Sequence, residues 1–167
     1  MNDTTTPSKF DLYKIALDTR NMEIGLFWQR SNYFLVLNTA TAIGFFLKAT
    51  EKYQFLIGLF GLAVAVLWFA INLGSKFWQS RWEFRLKEAE KSLPNGADIQ
   101  YFSASWETIY SDVGISLESS KHGKWRKKID QLVLLKPSVS FIMTLLSILF
   151  ILLWLGLLIM SISCGNA

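Results

Sequence analysis

Residues Lys9–Leu47 read KFDLYKIALDTRNMEIGLFWQRSNYFLVLNTATAIGFFL, and this stretch decides the fold. It holds no Pro and only two Gly, so nothing in it breaks a helix. Its first half is charged and amphipathic, whereas Ser31–Leu47 carries no charge. At the helical rise the whole stretch extends roughly 58 Å, beyond the roughly 30 Å of a bilayer core. The reading is a cytoplasmic helix that runs directly into a membrane.

The rest of the chain agrees. Its 167 residues are 51% hydrophobic and 15% aromatic, with a mean hydropathy of +0.29. The apolar residues are concentrated rather than spread. Besides Ser31–Leu47, the segments Tyr53–Ser75 and Pro137–Ala167 lack charge, and an uncharged apolar run of about 18 residues is long enough to cross a bilayer. Ser31–Leu47 falls one residue short of that length and contains Asn38, Thr39 and Thr41. The fold expected is an all-α membrane protein with three transmembrane helices: a cytoplasmic arm at 1–31, a hairpin at 32–75 (spans 32–48 and 53–75), a basic and aromatic cytoplasmic section at 76–136, and a third span at 137–163.

Within the arm, Phe10, Tyr13, Leu17, Ile24 and Phe27 recur at about 3.5 residues, the period of a helix seam, and Arg20 falls on the same stripe. Leu17, Arg20, Glu23, Ile24 and Phe27 are therefore the candidate contacts between copies. Arg20 either snorkels to water at the edge of the stripe or pairs with an acid such as Glu23 of its own or a neighbouring chain. Trp28, Arg30 and Tyr33 then mark the membrane–water interface, as do Trp78 and Trp82 where the second span leaves the membrane. In the first span, Asn38, Thr41 and Phe45 share a face suited to helix packing, or to lining a pore built by several copies. Gly61 and Ala65 make a small-xxx-small pair in the second span, Asn72 lies near headgroup water, and Trp154 is a candidate belt residue in the third. Ser8 and Ser105 stand where helix caps are needed, Ala49–Lys52 forms the tight turn between the first two spans, and Gly114 is expected to stop the helix that Ser105 starts.

Lysine and arginine set the orientation. Four lie in the N-terminal arm, two in the hairpin turn (Lys48, Lys52) and eleven between Lys76 and Lys136. The positive-inside rule then puts the N-terminus and the middle section in the cytoplasm and the C-terminus outside. The cluster Lys124, Arg126, Lys127 and Lys128 stands shortly before the third span, where basic side chains face anionic lipid headgroups; nucleic acid is not expected despite the net charge of +4. The opening residues MNDTTTPSKF are polar and acidic, unlike a secretion signal.

Chemical motifs are missing. One Cys and one His give neither a disulfide nor a metal site, and no phosphate loop, nucleophile elbow or paired catalytic groups occur, so no enzyme, cofactor or metal is expected. The spans carry no Asp, Glu, Lys or Arg, which disfavours a proton-coupled carrier.

Asp18-Thr19-Arg20-Asn21, Glu23, Phe27-Trp28-Gln29-Arg30 and the run Tyr33–Ala40 resemble the N-terminal signature of the RipA family, small bacterial inner-membrane proteins described as octameric. The resemblance implies a ring-like homo-oligomer in the cytoplasmic membrane and is silent on biochemical role. A membrane scaffold or pore is the first reading. The alternative is an anchor or adaptor for a soluble cytoplasmic partner docking through Trp106, Tyr110 and Trp125, which includes accessory proteins of antiviral defence systems.

Overall fold

The computed structural model describes residues 7–47, 51–118, 124–136 and 138–165. All regular structure among them is helical: α1 (Lys9–Leu47), α2 (Glu51–Lys91), the single turn α3 (Gly96–Ile99), α4 (Trp106–Glu118), α5 (Lys124–Leu134) and α6 (Val139–Gly165). The helix expected over Lys9–Leu47 has those bounds. It opens on a reciprocal cap: the Asp11 backbone N–H donates to Ser8 Oγ at 3.1 Å, and the Ser8 N–H donates to the Asp11 carboxylate at 3.0 Å. The Ser8 hydroxyl also donates to that carboxylate, and these bonds hold Asp11 below the ordinary carboxylate range.

The second apolar segment continues out of its uncharged region as one helix to Lys91, and Pro94-Asn95 then turn the chain, with Asn95 in the left-handed region and Gly96 opening α3. Residues 48–50 of the expected hairpin turn lie outside the described residues, while Glu51 and Lys52 already belong to α2. Ser105 caps α4 through the Thr108 N–H at 3.2 Å. Gly114 does not stop that helix, which continues to Glu118; a lone glycine costs a helix only about 1 kcal/mol. Helix α5 has no counterpart among the elements expected from the sequence; it opens at Lys124, and Lys121–Gly123 before it lie outside the described residues. Pro137, expected in the first turn of the last helix, also lies outside them, and α6 opens at Val139.

The chain divides into two compact units, one of residues 1–21 and 80–138, the other of residues 22–79 and 139–167. The second unit is a bundle of α1, α2 and α6. Each helix contributes a stripe at alternating steps of three and four: Phe27, Ser31, Phe34, Asn38, Thr41 and Phe45 from α1; Gly61, Ala65, Trp68, Asn72, Ser75 and Gln79 from α2; Ser140, Thr144, Ser147, Ile151, Trp154 and Leu158 from α6. All of these are buried or half-buried, the pattern by which three helices share one core. The core centres on Phe45, Ala65 and Trp154, one from each helix.

The outer faces of α2 and α6 are apolar, with Phe55, Leu59, Phe60, Phe141, Leu149 and Leu152 all exposed. Among the described residues, two helices are long and apolar enough to cross a membrane: α2 over Tyr53–Lys91 and α6 over Val139–Ser163. Helix α1 is not among them, because Asn32, Asn38, Thr39 and Thr41 dilute its apolar half.

The first unit is built around the end of α2. Leu86 and Glu90 are fully buried there, and α4 packs on α5. The start of α1 contributes buried Ala16.

Candidate functional site: a polar seam in the bundle and a carboxylate platform

The seam of the bundle is unusually polar for its setting. Trp154 Nε1 donates to Asn38 Oδ1 at 3.1 Å in the fully buried core, and Asn38 Nδ2 donates back to the Phe34 carbonyl at 2.9 Å. Asn72 Nδ2 donates to the Met143 carbonyl at 3.1 Å and lies 3.5 Å from Ser147 Oγ. Ser140 donates to Gln79 at 2.9 Å, and Arg30 reaches Ser75 at 3.4 Å. Every pair of helices in the bundle is thus joined by at least one polar contact. In hydrocarbon an unpaired amide or indole N–H costs far more than a paired one, so each bond restricts how the helices can slide or rotate.

Aromatic contacts fill the space between these rungs. Phe34 stacks on Trp68, Trp68 meets Phe150, and the Phe45 ring stands edge-on to Trp154. Trp68 Nε1 and Ser31 Oγ are buried without a hydrogen-bond partner.

Two sequence expectations are corrected here. Trp154 is not a belt residue: it is fully buried, because Asn38 supplies an acceptor and Gly61 supplies room. Asn72 does not depend on headgroup water: it is 1% exposed and satisfied by α6. Both were misread because a single helix cannot show which of its faces a neighbour covers.

Asn38, Thr41 and Phe45 lie together on the inward face of α1, buried within one chain. The Thr41 and Thr39 hydroxyls donate to the backbone one turn earlier, at 2.7 and 2.8 Å. Asn38→Leu should therefore act on stability: it orphans the Trp154 N–H and costs about 1–2 kcal/mol. A fall in the unfolding temperature of the detergent-solubilised protein, without a change in its mass, is the expected result.

Of the stripe assigned to contacts between copies, Leu17, Arg20, Glu23 and Ile24 are half-buried and Phe27 is buried within the chain. Among the described residues no ion pair joins Arg20 to Glu23. The Arg20 guanidinium instead lies over the Phe102 ring at 5.4 Å and reaches Asn21 Oδ1 at 3.3 Å, while its Nε is buried without a partner. Trp28, Tyr33 and Trp78 are exposed, and Arg30 and Trp82 are half-buried. Lys128 is exposed; the side chains of Lys124, Arg126 and Lys127 lie outside the described residues.

The ring under Arg20 belongs to a loop held by Glu90, a residue near the end of α2 that no sequence expectation names. Glu90 is 1% exposed, and its carboxylate accepts three successive backbone N–H groups: Tyr101 at 2.9 Å, Phe102 at 3.0 Å and Ser103 at 2.7 Å. Burial raises its pKa, but the hydrogen bonds from Ser103, Phe102 and Tyr101 together outweigh burial, and the net shift is downward. Tyr13 of α1 feels the same site: burial and the Glu90 charge push its hydroxyl pKa up. The only sequence signal for this platform was an acid placed four residues before Pro94 at the end of a long helix.

No group of three or more metal-ligating side chains occurs among the described residues. No curated protein and no solved structure matches the chain. A family model, however, matches residues 10–163, running from the start of α1 nearly to the end of α6, and its description agrees with the small octameric membrane proteins that the arm resembles. The apolar outer faces of the bundle fit a membrane protein, and over that length the match shows that the chain belongs to the octameric membrane protein family (8xMP).

Proposed function

We propose that this protein is a non-enzymatic scaffold of the bacterial inner membrane, a homo-oligomer in which each subunit crosses the bilayer three times. The N-terminus lies in the cytoplasm and the C-terminus outside. The arms and the 76–136 sections of neighbouring subunits form a helical crown on the cytoplasmic side. The observation that carries this reading is the closure of the polar seam: α1 gives its Asn38 to Trp154 of α6, as a third span must if it is to keep an amide in hydrocarbon. The match to the octameric family over residues 10–163 supports self-association.

Native mass spectrometry of the solubilised protein tests the oligomer, and a strict monomer would refute it. Reagent access to single cysteines placed near each terminus in sealed vesicles tests the three spans. Termini labelled from the same side would remove α1 from the membrane. Conduction through Asn38 and Thr41 is the weaker reading, because both side chains are engaged inside their own chain. Planar-bilayer recordings that show conductance lost on Asn38→Leu would reinstate it. An adaptor role would appear as a stoichiometric soluble partner that is lost when the middle section is deleted.

A further inference from the structure

Helices α4 and α5 form a hairpin whose apolar side chains are left uncovered. No residue of α4 is buried. Trp106, Ile109, Tyr110 and Val113 of α4 face Val133 and Leu134 of α5 across an open cleft, with Lys136 at its rim. The Lys136 Nζ stands 5.0 Å from the centre of the Trp106 ring. Lys136 adopts φ 45°, a conformation that side-chain-bearing residues avoid, and its N–H closes the end of α5 on the Val133 carbonyl at 3.0 Å. Beyond the cleft, Ile129, Leu132 and Leu135 are 56%, 60% and 74% exposed. An apolar patch of this kind on a protein surface marks a contact.

We propose that the α4–α5 hairpin docks on the surface of an anionic phospholipid bilayer, with its cleft and the exposed α5 side chains among the acyl chains and its basic residues on the headgroups. Two observations choose lipid over other occupants. The first is charge. Five basic residues fall between Lys121 and Lys128, directly beside the apolar stretch, the composition of a helix that lies in a membrane interface. An apolar face of a second copy would gain nothing from that cluster, and the chain's own net charge is positive. The second is connection. Only residues 135–138 separate α5 from α6, a candidate membrane span, so the chain between them extends at most about 18 Å. The inference rests on the chain being in a membrane and not on its copy number.

The test uses the full-length protein with its single cysteine removed (Cys164→Ser) and Ile129→Cys carrying an environment-sensitive fluorophore. The protein is reconstituted in phosphatidylcholine vesicles with or without phosphatidylglycerol. With phosphatidylglycerol, lipid-borne spin labels should quench the probe several-fold more than in phosphatidylcholine alone, and salt should reverse the gain. Lys127→Gln and Lys128→Gln should each lower the docked-to-free ratio about fivefold. Leu132→Asn is a second check, at a side chain 60% exposed and so outside the hairpin's own packing; it should release the probe while native mass stays unchanged. Three results would overturn the proposal: quenching by aqueous iodide with none from lipid labels, lipid quenching indifferent to phosphatidylglycerol, or a probe shielded from both with covalent dimers on cross-linking at position 129. The last would assign the face to a second copy. Loss of the oligomer with docking retained would leave this proposal standing and remove the scaffold reading instead.

Discussion

Replacing Glu90 with Ala should unfold the loop at Tyr101–Ser103 and free the start of α1 while the membrane bundle stays intact. The carboxylate accepts three backbone N–H groups in a site closed to water, and hydrogen bonds to a charged group contribute about 1.5–3 kcal/mol. Losing all three, with partial rehydration of the freed amides, costs about 3 kcal/mol, roughly a 100-fold fall in hydrogen-exchange protection. Glu90→Gln should do nearly as much, because its NH2 group turns a donor toward N–H groups that need an acceptor. The Arg20–Phe102 contact would go with the loop.

The pH dependence follows from the direction of the shift. Because the folded pKa of Glu90 lies below the ordinary 4.5, its contribution is fully present above that value. It disappears as pH falls through the lowered one. Hydrogen exchange at Tyr101–Ser103 should therefore be flat from neutral pH down to about 5 and should accelerate below, beyond its intrinsic pH dependence. Equal protection in wild type and Glu90→Ala would show that the loop is held by something other than this carboxylate.

Much of the fold was legible because helices write their period into sequence. Lys9–Leu47 lacks Pro, so its extent could be read directly, and the runs Tyr53–Ser75 and Pro137–Ser163 reported themselves by the absence of charge. The seam was half visible. The stripe from Phe10 to Phe27 continues in register through Ser31, Asn38, Thr41 and Phe45, but the sequence could not say whether its partner was another copy or another helix of the same chain. For Phe27 and Asn38, within one chain, that partner is the chain's own bundle. Glu90 was illegible for a different reason. Its partners are backbone N–H groups, which carry no residue-type signature, and they come from a loop eleven to thirteen residues away. Helix α5 was hidden by its polarity, since a basic amphipathic helix next to a span reads first as a charge cluster.

The seam also fixes where substitution is most damaging to the bundle, and that place is Gly61. A Cβ at Gly61 would collide with the Trp154 ring, and one at Gly58, a turn earlier, would meet the Leu158 side chain at 2.9 Å. Gly25, Gly44, Gly74 and Gly156 have nothing within 4 Å of such a carbon. At Gly61 the absence of a side chain on α2 therefore lets Trp154 of α6 pack directly against its backbone. The Trp154 ring cannot simply turn away, because its Nε1 is tied to Asn38 and its face is set against Phe45. Gly61→Val adds a branched side chain where one carbon already collides. Overpacking a tight core costs about 1–3 kcal/mol, and driving the indole off Asn38 adds about 1 kcal/mol more, for a total of about 2–4 kcal/mol. Gly44→Val, on the open side of α1, should cost less than about 1 kcal/mol. Thermal unfolding of the two variants in the same detergent separates them, with Gly61→Val lowest by far. A second-site change of Trp154→Leu should restore much of the loss in the Gly61→Val background while remaining harmful alone, because only there does the smaller side chain relieve a collision. Additive losses in the double variant would mean that Gly61 and Trp154 do not meet.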